Sequence, residues 1–210
     1  MGITTYLFDF DGTLVDSMPT YISVMLRILD ENGVKYENDI IKTITPLGYK
    51  GTAEYYRELG VPLSVKEMMD TMNLYAEQAY RYHVTDKDGV RDTLIALKDK
   101  FSLNVLTASP HRLLDPCLKR LGLWELFDNV WSCDDFNTTK ADPRIYQMVA
   151  ERLGVKAENI LFVDDNLDAT KTAKSAGVTT CGIYDRSSHG FIDEMKKISD
   201  RYVMKFEELI

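Results

Sequence analysis

The stretch that most limits how this chain can fold is an apolar run that ends in acid: Thr4-Thr5-Tyr6-Leu7-Phe8-Asp9-Phe10-Asp11-Gly12-Thr13. Side chains alternate faces along a strand with a period of two, which predicts Asp9 and Asp11 on one face and Phe8 and Phe10 on the other. Two carboxylates so close on an apolar support repel each other and resist burial, so the pattern calls for a positive charge between them. Gly12 would let the chain turn sharply, and the Thr13 hydroxyl could bond a carboxylate and fix its rotamer. A solvated strand end is the plain alternative for a lone Asp. A calcium loop opening at Asp9 fails, because it would need glycine at Leu14 and glutamate at Thr20. Carboxylate chemistry remains: one Asp attacks an electrophile, the other moves a proton, and a hard cation such as Mg²⁺ offsets the repulsion.

Further β-like runs follow at 101–107, 160–163, 179–183 and 202–204, with a weaker one at 130–132. Helical patterns separate most of them. Residues 90–100 carry Val90, Leu94, Ile95 and Leu97; residues 143–153 open with Asp142 as cap and Pro143 in the first turn; residues 167–176 stop at Gly177. Alternating strands and helices predict an α/β fold, a parallel sheet with helices on both faces. In such sheets ligands bind beyond the carboxyl ends of the strands, which is where Asp9 and Asp11 fall.

Residues 17–86 break the alternation. Met18, Tyr21, Ile22, Met25 and Leu29 keep helical spacing, Thr52–Leu59 reads as a shorter helix, and Ser64-Val65-Lys66-Glu67 reads as a capping box opening a long one. That last helix stripes Val65, Met68, Met69, Met72, Tyr75 and Ala79, a pattern better suited to packing in a small bundle than to a binding groove. An all-helical insertion between the first and second strands is expected. The stretch 45–52, Thr-Pro-Leu-Gly-Tyr-Lys-Gly-Thr, reads as a glycine-bearing connection between these helices, with Lys50 a candidate substrate contact.

Across 210 residues the net charge is -8, which argues against nucleic acid or an anionic membrane as partner but not against a small anion held by local cations. There is no apolar run of spanning length and no signal-like start, and Cys117, Cys133 and Cys181 lack CxxC spacing, so a reduced, cytoplasmic setting is expected. No protein partner is implied.

Three other stretches bear on chemistry. In Leu103–Arg112 an apolar run ends at Thr107; the Thr107 and Ser109 hydroxyls, with backbone N–H groups near Ala108, would suit a phosphate oxygen at a strand-to-helix transition. Lys140 stands just before a helix cap, where its ammonium could neutralise two aspartates and a phosphate. Ile160–Asp165 is a second apolar strand ending in acids, Asp164 and Asp165, which would face opposite ways and hold unequal roles. His111 and Arg112 could edge the same site; His83 and His189 show no metal-ligand spacing.

Four pieces therefore stand in order: Asp9-Phe10-Asp11-Gly12-Thr13, Leu106-Thr107-Ala108-Ser109, Lys140-Ala141-Asp142-Pro143 and Val163-Asp164-Asp165. Together they resemble the four motifs of the haloacid dehalogenase-like hydrolase superfamily, over nearly the whole chain. The opening motif with a helical insertion straight after it resembles the branch of phosphoglycolate phosphatase and β-phosphoglucomutase. The resemblance implies a Rossmann-like catalytic core (1–16 and 87–210), a small helical cap domain (17–86), and hydrolysis of a small phosphorylated metabolite. It also implies Asp9 as nucleophile, Asp11 as general acid/base, Thr107 on phosphate, and Lys140 between phosphate and nucleophile. Mg²⁺ would be held by the Asp9 carboxylate, the Asp11 backbone carbonyl and the Asp164–Asp165 pair. Family members often carry Asp or Asn four residues after the ligand; here that position is Ala169, beside Asp168. The presence of an acid at Asp11 favours phosphate esters over haloacids. Mutase-like members tend to carry histidine where this chain has Thr20 and Tyr21, which leaves a phosphosugar mutase as the alternative.

Overall fold

A computed structural model describes residues 2–37 and 39–210; Met1 and Asn38, which fall within the two expected regions, lie outside it. The chain divides into two compact units, one formed by the residues up to Asp16 with Thr85–Ile210, the other by Ser17–Val84. Thr85 and Asp86 belong to the first unit: Asp16 N donates to Thr85 O at 2.9 Å, and Val15 forms an antiparallel bridge with Asp86.

The first unit is built on six parallel strands: β1 (Thr5–Phe8), β2 (Ser102–Thr107), β3 (Asn129–Ser132), β4 (Ile160–Asp164), β5 (Thr179–Ile183) and β6 (Arg201–Val203), ordered β3-β2-β1-β4-β5-β6. Every residue of β1 is buried, as a central strand covered on both faces requires. Leu7 joins a cluster with Tyr146 and Val149 of α7 (Arg144–Leu153) and Ala169 and Ala173 of α8 (Leu167–Ser175). On the other face, Tyr6 and Phe8 pack against Phe101, Phe127 and Phe206. The strand order turns back between β1 and β4, so the crevice at their carboxyl ends is the topological switch point of the sheet. β1 and β4 pair with Phe8 opposite Val163, which sets residue 9 level with residue 164.

The second unit is all-helical: α1 (Met18–Glu31), α2 (Ile40–Ile44), α3 (Gly48–Glu58) and α4 (Val65–Tyr82). Met25, Ile28 and Leu29 of α1, Tyr56 of α3, and Met68 and Met72 of α4 share one core. The methionine stripe is packing. The short helix α2 has no periodicity long enough to read in the sequence. One expectation is corrected: the stretch 45–52 is no open connection. Thr45–Leu47 is a 3₁₀ turn and α3 begins at Gly48, where a φ of +67° allows the chain to enter the helix directly. Lys50 therefore sits on a helix, its side chain 73% exposed, 4.0 Å from Glu54 one turn on.

The Ser64 hydroxyl accepts from Glu67 N at 3.2 Å, and Ser64 N donates to the Glu67 carboxylate at 2.7 Å, closing the capping box. Ser64→Ala should cost about 1 kcal/mol, whereas Ser64→Asp, which keeps an acceptor oxygen, should cost only tenths. Urea unfolding followed by circular dichroism measures both.

Candidate active site

β1 ends at Phe8, and the strand alternation expected to continue through Asp11 stops with it. Residues 10–15 fold into a tight turn: Leu14 N and Val15 N both donate to Phe10 O, and Gly12 N donates to Val15 O. Gly12 takes a φ of +76°, a conformation glycine adopts freely. The turn separates the two acids, which meet different partners.

Asp9 meets Lys140. The ammonium lies 2.6 Å from Asp9 Oδ1 and 2.8 Å from Asp164 Oδ2, so the positive charge bridges the ends of β1 and β4. Asp11 instead accepts from Ser109 Oγ at 2.5 Å, while Thr107 Oγ1 accepts from Ser109 N at 3.0 Å and is buried at the end of β2. Ser109, expected to face a phosphate, has its hydroxyl turned to Asp11. Thr13 Oγ1 donates to Asp165 Oδ1 at 3.3 Å and accepts from Asp165 N at 3.2 Å, fixing that carboxylate's rotamer. Asp164 Oδ1 accepts from Asn166 N at 2.7 Å, and the Asn166 side chain caps α8 through Asp168 N and Ala169 N. Asp168 itself points to solvent, 92% exposed, and Ala169 is buried in the core.

Carboxylate oxygens of Asp9, Asp164 and Asp165 lie within 4.8 Å of one another, and all three residues are buried. Burial pushes Asp9 up to about 7, with Asp164 and Asp11 adding to the push and Lys140 opposing it. Burial, Asp164 and Asp9 likewise hold Asp165 well above the usual carboxylate range. Lys140 goes the other way: burial disfavours its charge, but Asp164 and Asp9 outweigh that and keep it well above an ordinary lysine. With all three acids ionised, the Lys140 ammonium offsets one of three negative charges, and among the described residues no second cation is paired with the trio in this low-dielectric site. A donor set made only of oxygens with that surplus fits a hard divalent cation.

Supporting contacts surround these groups. The fully buried Tyr146 directs its hydroxyl at Lys140 O, 3.3 Å, and Ala169 O, 3.1 Å. His111, at the start of α6 (His111–Arg120), joins Asp115, 2.7 Å, to Asp135, 2.8 Å. Two residues escaped the sequence reading. Lys87 donates to Gly12 O at 2.7 Å, Tyr184 O at 2.8 Å and Asp185 Oδ2 at 3.1 Å. Their sequence surroundings, Asp86-Lys87-Asp88 and Tyr184-Asp185-Arg186, look like ordinary solvated charge, and nothing local signals the pairing.

The sequence profile of the haloacid dehalogenase-like hydrolases matches residues 6–183. The chain is 29% identical to a phosphorylated carbohydrates phosphatase of Thermotoga maritima over 174 residues, 82% of this chain and 81% of that one. It is 30% identical to the pyrophosphatase PpaX of Halalkalibacterium halodurans over 183 residues, 86% of this chain and 83% of that one. Among solved structures, an inferred β-phosphoglucomutase of Thermotoga maritima superposes with a TM-score of 0.84 at 26% identity, covering 99% of this chain and 96% of that one.

A Cβ added at Gly12 would lie 2.7 Å from Asp165 Oδ2. Gly12→Ala should therefore cost about 1–3 kcal/mol from its φ alone and should also displace the Asp165 carboxylate; thermal unfolding checks the first effect and divalent-ion binding the second. At His111, burial lowers the affinity for a proton, but Asp115 and Asp135 outweigh it and raise the folded-state pKa above the ordinary 6.5. The stabilisation is then complete below pH 6.5 and disappears as pH rises through the higher folded value. The difference in melting temperature between the wild type and His111→Ala should accordingly shrink as pH increases; a constant difference would contradict it.

Proposed function

The chain belongs to the haloacid dehalogenase-like hydrolase family, and from that premise we propose that it is a Mg²⁺-dependent phosphatase acting on a small phosphorylated metabolite through a phosphorylated Asp9. The observation that carries this reading is the buried trio Asp9, Asp164 and Asp165, with Lys140 bridging two of its members at the switch point of the sheet. The phosphatase names of the curated relatives support it.

In the proposed reaction an Asp9 carboxylate oxygen attacks phosphorus in line, and the bond from phosphorus to the ester oxygen breaks. Asp11 gives the departing oxygen a proton, its carboxyl oriented by Ser109. Asp11 then takes a proton from water as that water attacks phosphorus; the bond to Asp9 breaks, inorganic phosphate leaves, and Asp9 is restored. Lys140 and Thr107, with the backbone around Ala108 and Ser109, bind the phosphoryl oxygens. Asp9, Asp164, Asp165 and the Asp11 carbonyl would hold Mg²⁺, which when bound supplies positive charge to the transferring phosphoryl group. The helical unit acts as the cap that selects substrate, with Lys50 a contact to it. Three free, buried cysteines suit a reducing compartment, the cytoplasm.

Phosphate release from a panel of sugar phosphates, phosphoglycolate, nucleoside monophosphates and pyrophosphate tests the proposal. Release should require Mg²⁺ and stop with chelator. Asp9→Asn should lower kcat at least about a thousand-fold, and Asp11→Asn about 10²–10⁴-fold. Metal-independent release, or activity retained in Asp9→Asn, rejects the mechanism. The likeness to an inferred β-phosphoglucomutase favours one second reading, a mutase, which conversion of a sugar 1-phosphate to its 6-phosphate without free phosphate would select.

A further inference from the structure

Asp11 and Thr13 belong to the turn of residues 10–15 and Asp9 immediately precedes it, so their relative placement depends on the two peptide planes that flank Gly12. One side of that turn is pinned by backbone, with Lys87 N donating to Leu14 O at 3.0 Å. The other side is pinned by the same residue's side chain. The Lys87 ammonium has three N–H bonds and three acceptors: Gly12 O, Tyr184 O and Asp185 Oδ2. Lys87 is 20% exposed and Asp185 5% exposed, so these charge-assisted bonds are largely shielded from water. Asp185 is anchored in turn, its Oδ1 accepting from Ser187 N at 2.8 Å and Ser187 Oγ at 2.5 Å.

We propose that Lys87 is a positioning residue for catalysis: gripping the Gly12 carbonyl against the end of β5, it sets the turn that presents Asp9, the Asp11 carbonyl and Thr13. The role rests on the function proposed above. It is exerted through backbone, because the three partners exhaust the ammonium's donors and none of them is an acid of the trio. A structural ion pair would serve stability alone; the bond to Gly12 O makes a different demand, since turning that peptide also turns the one before it, whose carbonyl belongs to Asp11.

The test uses Lys87→Met, which keeps the length of the stem and removes the donors. The pair borders a cavity of about 500 Å³, so water can reach Asp185 in this variant. Lys87→Arg is the second variant: it keeps the charge and the pairing with Asp185, but its planar fork cannot set one nitrogen against all three acceptors. Kinetics are read on the best ester of the panel, and Mg²⁺ binding is read by calorimetry without substrate. In both variants kcat should fall about 10- to 100-fold and Mg²⁺ affinity by about ten-fold, the usual effect of disturbing groups that orient metal ligands, with KM nearly unchanged. Wild-type kcat and Mg²⁺ affinity in both variants, even with a lowered melting temperature, would overturn the proposal and leave a structural ion pair. Failure of the phosphatase reading shows separately, as a wild type that releases no phosphate from any ester, and the calorimetric comparison still decides the role of Lys87.

Discussion

Three carboxylates in a buried crevice are a standing electrostatic problem, and the rest of the first unit is arranged around it. Desolvation and mutual repulsion both act against their ionisation, and the direction of the Asp9 and Asp165 shifts follows from that. Among the described residues Lys140 is the ammonium that touches the trio, and it reaches two of the three acids. What keeps the acids together is the sheet. β1 and β4 are adjacent, parallel and paired with Phe8 opposite Val163, so their acidic ends arrive at the same level. A register slip of one residue would turn the alternation of β4 inside out and withdraw Asp164 from Lys140. The apolar residues of β1 thus have a functional consequence: Leu7 on one face and Tyr6 and Phe8 on the other hold the strand in the register that juxtaposes the charges.

Much of this arrangement was legible in the chain because it rests on local rules. The six strands and the helices at 90–100, 143–153 and 167–176 follow from periodicity and punctuation, and Thr13 is readable as a carboxylate partner from its place after Gly12. The capping box at Ser64 is another local pattern, complete within four residues. The places where sequence reasoning stopped short share a physical cause. Asp9 and Asp11 were expected on one face because a strand alternates, but the strand ends at Phe8 and the glycine turn sends the acids to Lys140 and to Ser109 respectively. Pro143 was expected inside the first turn of α7; it is the cap residue, and Asp142 accepts from Arg144 N at 2.9 Å just outside the helix. Lys50 looked like a loop residue beside two glycines, yet α3 starts at the first of them. Boundaries of this kind are decided by packing and by single backbone dihedrals, which no window of residue types records.

The pairing of Lys87 with Gly12 and Asp185 was illegible for a stronger reason. It joins three segments, Gly12 lying 75 residues before Lys87 and Asp185 98 after it, and neither the Lys87 nor the Asp185 stretch carries a pattern that distinguishes it from surface charge. Only the topology, which returns the chain from the helical unit beside the turn after β1 and ends β5 nearby, makes them neighbours.

The contrast between the two lysines completes the physical picture. Lys140 offsets charge: its contacts are to carboxylates, and its value lies in the field it places among them. Lys87 fixes geometry: two of its three contacts are to neutral carbonyls, and its charge is already answered by Asp185. A chain with net charge -8 thus commits two shielded cations to one turn and the acids it presents. The crevice could tolerate neither more repulsion nor a looser turn. An acid cluster keeps this arrangement only if its members neither drift apart nor collapse into protonated, hydrogen-bonded pairs. One ammonium opposes the second failure, and the other opposes the first.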